Sequence, residues 1–160
     1  MKIYSFPPIS DQHSKVLVLG TMPGVMSLKL NQYYGHGGNA FWKFIFSIFE
    51  LPFSNNYEKK KSILLEHNIA LWDVLKACER EGSADNAIVQ EEPNDFKSFF
   101  DGHPNIKLIA FNGQNSAAYF NSQSNCKPDV GYITLPSTSK ANTWKTVEEK
   151  LSKWEIIKSI

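Results

Sequence analysis

An α/β fold built on a four-stranded parallel sheet is the architecture this chain predicts, and three observations predict it. Four apolar runs, at 16–19, 69–74, 108–111 and 132–135, are each four to six residues long. Runs this short and this apolar suit strands buried on both faces. The segments between them carry a helical pattern, which gives the order β-α-β-α-β-α-β that crossover connections require. The stretches that follow the runs are polar and turn-rich, and loops at the carboxyl ends of parallel strands converge on the edge where open α/β sheets hold ligands.

Taken in order, residues 1–14 are broken by Pro7 and Pro8 and read as an extended lead-in. The first run opens into residues 20–42, GTMPGVMSLKLNQYYGHGGNAFW, which read as a long loop between a strand and a helix. The loop carries Gly20, Pro23, Gly24, Gly35, Gly37 and Gly38 for unusual backbone angles, Tyr33 and Tyr34 for flat surfaces, and Asn31, Gln32, His36 and Asn39 for hydrogen bonds. Such a loop suits a flat, polar ring. Helices are expected over 39–49, 57–66, 94–100, 114–120 and 142–158. The first is apolar nearly all round, so it should be buried on more than one side. In the last, Trp144, Val147, Leu151 and Trp154 recur at steps of three and four, with Lys145, Glu148, Glu149, Lys150 and Lys153 opposite, as in a helix laid on a core. Lys59, Lys60 and Lys61 read as a solvated helix face. Three further loops, 75–88, 112–115 and 135–144, should share the edge of the first.

Composition narrows the function classes. The 160 residues fit one domain, 1–160, and 42% hydrophobic content is ordinary for a soluble chain. No apolar run approaches the roughly 20 residues that span a bilayer, and no apolar signal segment opens the chain, so an intracellular, cytoplasmic protein is expected. Cys78 and Cys126 lie far apart with no CxxC and no paired His, so neither zinc nor an iron–sulfur cluster can be assembled from cysteine. Both read as structural thiols; no metal and no cofactor is expected. A net charge of +1 provides no global field, so any nucleic-acid contact must come from a local patch. Arg80 is the only arginine, which argues against reading guanine in a groove by bidentate guanidinium.

Four segments, GTMPGVMSLKLNQYYGHGGNAFW at 20–42, LWDVLKACEREGSADNAI at 71–88, FNG at 111–113 and LPSTSKAN at 135–142, together resemble the deoxyinosine (hypoxanthine) DNA glycosylase family, a branch of the uracil-DNA glycosylase superfamily. The resemblance runs from the FPP at 6–8 to the final helix. It implies a three-layer α/β/α sandwich, with the four-stranded parallel sheet between helices, and an enzyme that flips a damaged base out of DNA and hydrolyses its bond to the sugar. Damaged DNA is then the partner, and a monomer is expected.

Residue by residue, the resemblance sets 20–24 on the superfamily's first motif, whose third position in the uracil enzymes is an Asp or Asn that handles the attacking water. Here it is Met22, which neither takes a proton nor orients water. Gly20, Thr21 and Met22 are thereby set against the base. The polar role passes in this branch to Asn39, the implied catalytic residue. Tyr34 falls where relatives stack an aromatic on the flipped base, and Asn112 where the uracil enzymes place a base-reading Asn. Pro136, Ser137, Thr138 and Ser139 match the second motif, which grips the DNA backbone and helps fill the hole left by the base; Lys140 adds a cation where phosphate should pass. The His common before that Pro-Ser is Leu135 here. The branch typically has Pro at the positions of Gly37 and Lys140 and Leu at that of Ala84, departures that bear on rate and base preference more than on reaction type.

The groups themselves suggest a chemistry. Asn39 can offer its NH2 to the leaving base or its carbonyl to a water, and N–H groups of the glycine loop add donors. No Asp or Glu lies inside that loop, so leaving-group stabilisation and positioning are expected to dominate, with little general-base catalysis; Asp73 and Asp85 read as structural. Each assignment has a structural rival. Asn39 suits a helix N-cap, Asn112 a turn ahead of Gly113, Tyr33 and Tyr34 a core, His36 a turn hydrogen bonder, and residues 137–139 a helix cap. Two alternative functions stay open: a uracil or mismatch glycosylase on the same fold, and a nucleotide- or nucleic-acid-binding module without turnover.

Overall fold

The four apolar runs are strands of one sheet; those at 16–19, 69–74 and 108–111 are buried along their length, whereas the fourth, at 132–135, forms a largely exposed edge with only Leu135 buried. The computed structural model describes residues 1–123, 127, 129–140 and 146–160. Its strands are β1 (Lys2–Tyr4), β2 (Val16–Gly20), β3 (Ile69–Asp73), β4 (Leu75–Glu79), β5 (Val89–Pro93), β6 (Leu108–Asn112) and β7 (Gly131–Leu135). Its helices are α1 (Val25–Leu30), α2 (Phe41–Ile48), α3 (Tyr57–Glu66), α4 (Phe96–Gly102), α5 (Gln114–Ser122) and α6 (Val147–Trp154), the last continuing as a 3₁₀ turn over Glu155–Ser159. The main sheet has the order β3-β2-β6-β7, and every neighbouring pair is parallel.

Alternate side chains of its strands go to opposite faces. Val16, Val18, Ile69, Leu71, Leu108 and Ala110 pack with Phe41, Ile45, Ile63, Leu64, Trp154 and Ile157 from α2, α3, α6 and the turn after it. Leu17, Leu19, Ala70, Trp72, Ile109 and Phe111 pack with Phe96, Phe99 and Phe120 from α4 and α5. Helices therefore cover both faces, which is the three-layer sandwich. Each fully buried large side chain contributes roughly 1.5–3 kcal/mol. In α2, Lys43 and Ser47 alone are exposed, one turn apart, so this apolar helix is wrapped as its composition requires.

Several expectations are corrected. The lead-in and residues 75–88, read as extended chain and polar loop, contain strands of a second sheet, β1-β4-β5, antiparallel throughout. Its edges are polar, and register shifts in the β4–β5 ladder break the alternation by which strands are recognised. Residues 20–42 are not all loop, because α1 interrupts them. Lys60 is buried, its ammonium donating to Asn55 Oδ1 and lying over the Trp42 and Phe53 rings, so the lysine run is not a uniformly solvated face. Helix α6 starts later than expected because Thr146 is extended and caps it, accepting from Glu149 N–H. Val147, placed on the core stripe, is 61% exposed, while Lys150, placed opposite, is buried. Trp144 and Cys126 lie outside the described residues; Cys78 is a buried free thiol, as its reading required.

Candidate active site

The carboxyl end of β2 is tied to the turn after β3. Val74 N–H donates to Gly20 C=O at 2.8 Å and Leu75 N–H to Thr21 C=O at 3.2 Å. Gly20 lies opposite Asp73 in the register. A Cβ there would stand 2.6 Å from Asp73 Oδ1 and 2.8 Å from the Tyr34 hydroxyl, so glycine is what lets both groups approach the strand end. Arg80 sits beneath this loop. Its side chain is wholly buried, donating from Nε to Gly82 C=O and from Nη2 to Pro23 C=O, with Nη1 3.8 Å from Asp85 Oδ1. The single arginine is thus a staple between the first loop and residues 82–85.

The rest of the first loop is fixed by its own polar groups. Val25 N–H donates to Ser83 Oγ and Gly35 N–H to Ser27 Oγ, both at 2.9 Å. Tyr33 is core: its hydroxyl meets the Phe6 and Pro7 carbonyls, and Trp42 Nε1 donates to its backbone oxygen at 2.7 Å. Tyr34 turns the other way. Its φ of 53° is left-handed, unusual for a bulky residue, and its ring rests on Phe41 with centroids 4.4 Å apart. Burial raises the pKa of both tyrosines, so both hydroxyls stay protonated. His36 Nδ1 accepts from Gly38 N–H at 2.9 Å, the turn-forming role that rivalled an acid.

Asn112, the last residue of β6, joins the pieces. Its Nδ2 donates to the Tyr34 hydroxyl at 3.0 Å and to Thr138 Oγ1 at 2.9 Å, and its Oδ1 accepts from Thr138 N–H at 3.0 Å. The backbone N–H can only donate, which fixes the amide's orientation. Both amide hydrogens are therefore engaged within the protein, and one lone pair of Oδ1 remains for a ligand. Thr138 is 1% exposed, and its C=O accepts from Ala40 N–H, so this residue, expected on DNA, is an internal hub. Pro136, Ser137 and Ser139 are half-buried and Lys140 is exposed. Trp154 Nε1 anchors the segment by donating to Pro136 C=O at 2.8 Å. Asn39 precedes the α2 N-cap, Ala40, and its Oδ1 accepts from Phe41 N–H at 2.9 Å. The carbonyl is thus tied to the helix start, and no described residue accepts from the Asn39 amide hydrogens, which leaves the NH2 for the cleft it lines.

That cleft, about 1030 Å³, is lined by Gly20, Thr21, Met22, Tyr34, Asn39, Asn112, Ser137, Thr138, Ser139 and Lys140. Pro136 lines the adjoining cleft, which shares Asn112 and Ser137 as a wall. The residues singled out from sequence thus meet at one edge of the parallel sheet. The same cleft holds two carboxylates that sequence reading left as structural, Asp73 and Asp85. Asp73 is 4% exposed, Ser5 Oγ donates to its Oδ2 at 2.6 Å, and burial pushes its pKa up to about 7, against lowering by Ser5 and Arg80. The signal for it was in the chain: an acid placed directly at the carboxyl end of a buried run, where parallel strands present functional groups. Among the described residues, no cluster of three His, Cys, Asp or Glu side chains could hold a metal, and no helix is long and apolar enough to cross a membrane.

The Uracil DNA glycosylase superfamily is matched over residues 7–160. A hypoxanthine DNA glycosylase of Methanosarcina barkeri is 41% identical over 157 residues, covering 96% of each chain. Its counterpart in Methanosarcina acetivorans is 39% identical over 155 residues, covering 95% of each. A solution NMR structure from Methanosarcina acetivorans, carried under the provisional description uracil DNA glycosylase, superposes with a TM-score of 0.83 at 34% identity, covering 99% of this chain and 98% of that one. With the sandwich, the glycine-floored cleft and these relatives together, this chain belongs to the uracil-DNA glycosylase superfamily.

Proposed function

We propose that the chain is a monofunctional DNA glycosylase that extrudes hypoxanthine from deoxyinosine-containing DNA and hydrolyses its N-glycosidic bond, leaving an abasic site. The observation that carries this is the gathering of Tyr34, Asn39, Asn112 and Ser137 on one cleft, in a chain whose curated relatives of near-equal length are hypoxanthine DNA glycosylases. Flipping costs a few kcal/mol, least for a mispaired base, and aromatic stacking of about 1–3 kcal/mol offsets much of it. Tyr34, backed by Phe41, supplies the ring. Hypoxanthine offers N1–H as a donor and O6 and N7 as acceptors. The second lone pair of Asn112 Oδ1 suits the donor, and the Asn39 NH2 suits an acceptor that gains charge as the bond breaks; such a donor is typically worth about 2.7–4 kcal/mol. Gly20, Thr21 and Met22 form the wall behind the base. Pro136, Ser137, Ser139 and Lys140 take the DNA backbone, while Thr138 holds that segment to Asn112. The protein works on damaged DNA as a single-domain monomer inside the cell, without a cofactor.

The test is incubation of labelled duplexes containing deoxyinosine, uracil or xanthine, followed by alkali. Scission at deoxyinosine is expected; scission at uracil alone would replace the lesion, and tight binding without scission would make the chain a binding module. Asn39→Ala should retain duplex binding and lose most turnover. Unchanged turnover would remove Asn39 from the mechanism.

A further inference from the structure

A group that takes a proton from the attacking water speeds hydrolysis, and the first motif lacks one because its third position is Met22, whose thioether takes no proton. The structure supplies a carboxylate from the neighbouring strand. Asp73 ends β3 directly opposite Gly20, and its Oδ1 stands 2.6 Å from where a Cβ on that glycine would be. The two carboxylate oxygens have different surroundings. Oδ2 accepts from Ser5 Oγ, which fixes the rotamer, whereas Oδ1 takes no hydrogen bond from a described residue and lies against Gly20, which lines the cleft together with Asp73. Asp85, the other carboxylate there, is already engaged, accepting from Asn115 Nδ2 at 3.2 Å and lying 3.8 Å from Arg80 Nη1. The charged or titratable groups that act on Asp73 are Tyr33, Tyr34, Arg80 and Asp85.

We propose that Asp73 is a catalytic residue, its Oδ1 accepting the proton of the water that attacks the deoxyribose carbon while Ser5 holds its Oδ2. The step rests on the glycosylase reading above. The water oxygen bonds C1′, and one water proton passes to Oδ1. The C1′–nitrogen bond breaks with its electron pair leaving on the base, which takes a proton from solvent, and Asp73 then returns its own proton to solvent. Asn39 acts on the opposite partner, the leaving base. A buried carboxyl lifted toward neutral pH is a stronger base than an exposed one and is still ionised in a large fraction at pH 7.

Single-turnover cleavage of a duplex with one deoxyinosine tests this across pH 5–9, using the wild-type chain, Asp73→Asn and Asp73→Glu. Asp73→Asn keeps the shape and an oxygen for Ser5 but accepts no proton. Its rate should fall by at least about 100-fold, the lower end of what a positioned general base contributes, with lesion-duplex affinity within about threefold of wild type. The wild-type rate should rise with pH and level off above about 7, a limb missing from residual Asp73→Asn activity, and Asp73→Glu should recover part of the rate. Asp73→Asn within threefold of wild type overturns the proposal. So does a wild-type rate that is flat or falls with pH through this range, a result that needs no variant to fold. A wild-type chain that cleaves deoxyinosine but shows either result leaves the glycosylase reading intact, whereas no cleavage by wild type removes both.

Discussion

Replacing Asp73 by Asn should stabilise the protein at alkaline pH and do little at acid pH. Asp73 is 4% exposed, and its pKa is pushed from 3.8 to about 7, first by desolvation and then by Asp85, against lowering by Ser5 and Arg80. About three units at ~1.36 kcal/mol each amount to ~4 kcal/mol by which folding disfavours the ionised form. The sign follows from proton counting. Between pH about 4 and about 7 the folded chain holds a proton that the unfolded chain has lost, so stability falls as pH rises across that window. Below it both states are protonated and the contribution vanishes; above it the whole penalty is present. Urea unfolding of wild type and Asp73→Asn at several pH values between 4 and 8.5 reports on this group, because the titrations of residues that do not interact with Asp73 cancel in the difference. The variant should gain about 2–4 kcal/mol relative to wild type between the two ends. A difference that does not change with pH, or one that favours wild type increasingly as pH rises, would refute the argument. Paired with the loss of turnover proposed above, the gain would identify Asp73 as a group kept at a cost in stability.

Three more outcomes follow from the same geometry. Gly20→Ala places a methyl within 2.6 Å of Asp73 Oδ1 and 2.8 Å of the Tyr34 hydroxyl, so both must shift; deoxyinosine cleavage should fall sharply with only a small change in Tm, and retained activity would mean neither group needs its position. Tyr34→Ala should weaken capture of a deoxyinosine duplex more than of an undamaged one, measured by anisotropy, and equal weakening would leave the ring as packing. Lys140→Ala should weaken binding to both duplexes alike and reduce the slope of log affinity against log salt by about 1, and an unchanged slope would take Lys140 off the phosphate path.

Local pattern carried much of the molecule. Strands β2, β3 and β6 were legible because each is buried on both faces, which leaves an apolar run with no helical period; the edge strand β7 was legible from its short apolar run although most of it is exposed, and α2 and α3 were legible from composition and spacing. The second sheet was not. Strand β5, VQEEP, is an exposed edge whose order comes from ladder hydrogen bonds to β4, and backbone pairing leaves little trace in side-chain type. Lys60 misled for a related reason: a lysine normally marks solvent, yet here its stem and ammonium are taken up by Trp42, Phe53 and Asn55.

For the cleft, the motifs that carry the family resemblance singled out Tyr34, Asn39, Asn112 and the segment from Pro136 to Lys140, since a motif is a property of linear order, and the fold brings these residues to one edge of the sheet. What each group is free to do was not in that order. Whether Asn112 reads a base with its donors depends on Thr138 and Tyr34, and whether Asn39 presents NH2 or carbonyl depends on the Phe41 N–H. Asp73 ends a buried run in the linear order, but only strand pairing sets it opposite Gly20, fifty-three positions away, and only burial lifts its proton affinity. Hydrogen-bond commitment and desolvation are sums over neighbours in space, and only the folded chain determines who those neighbours are.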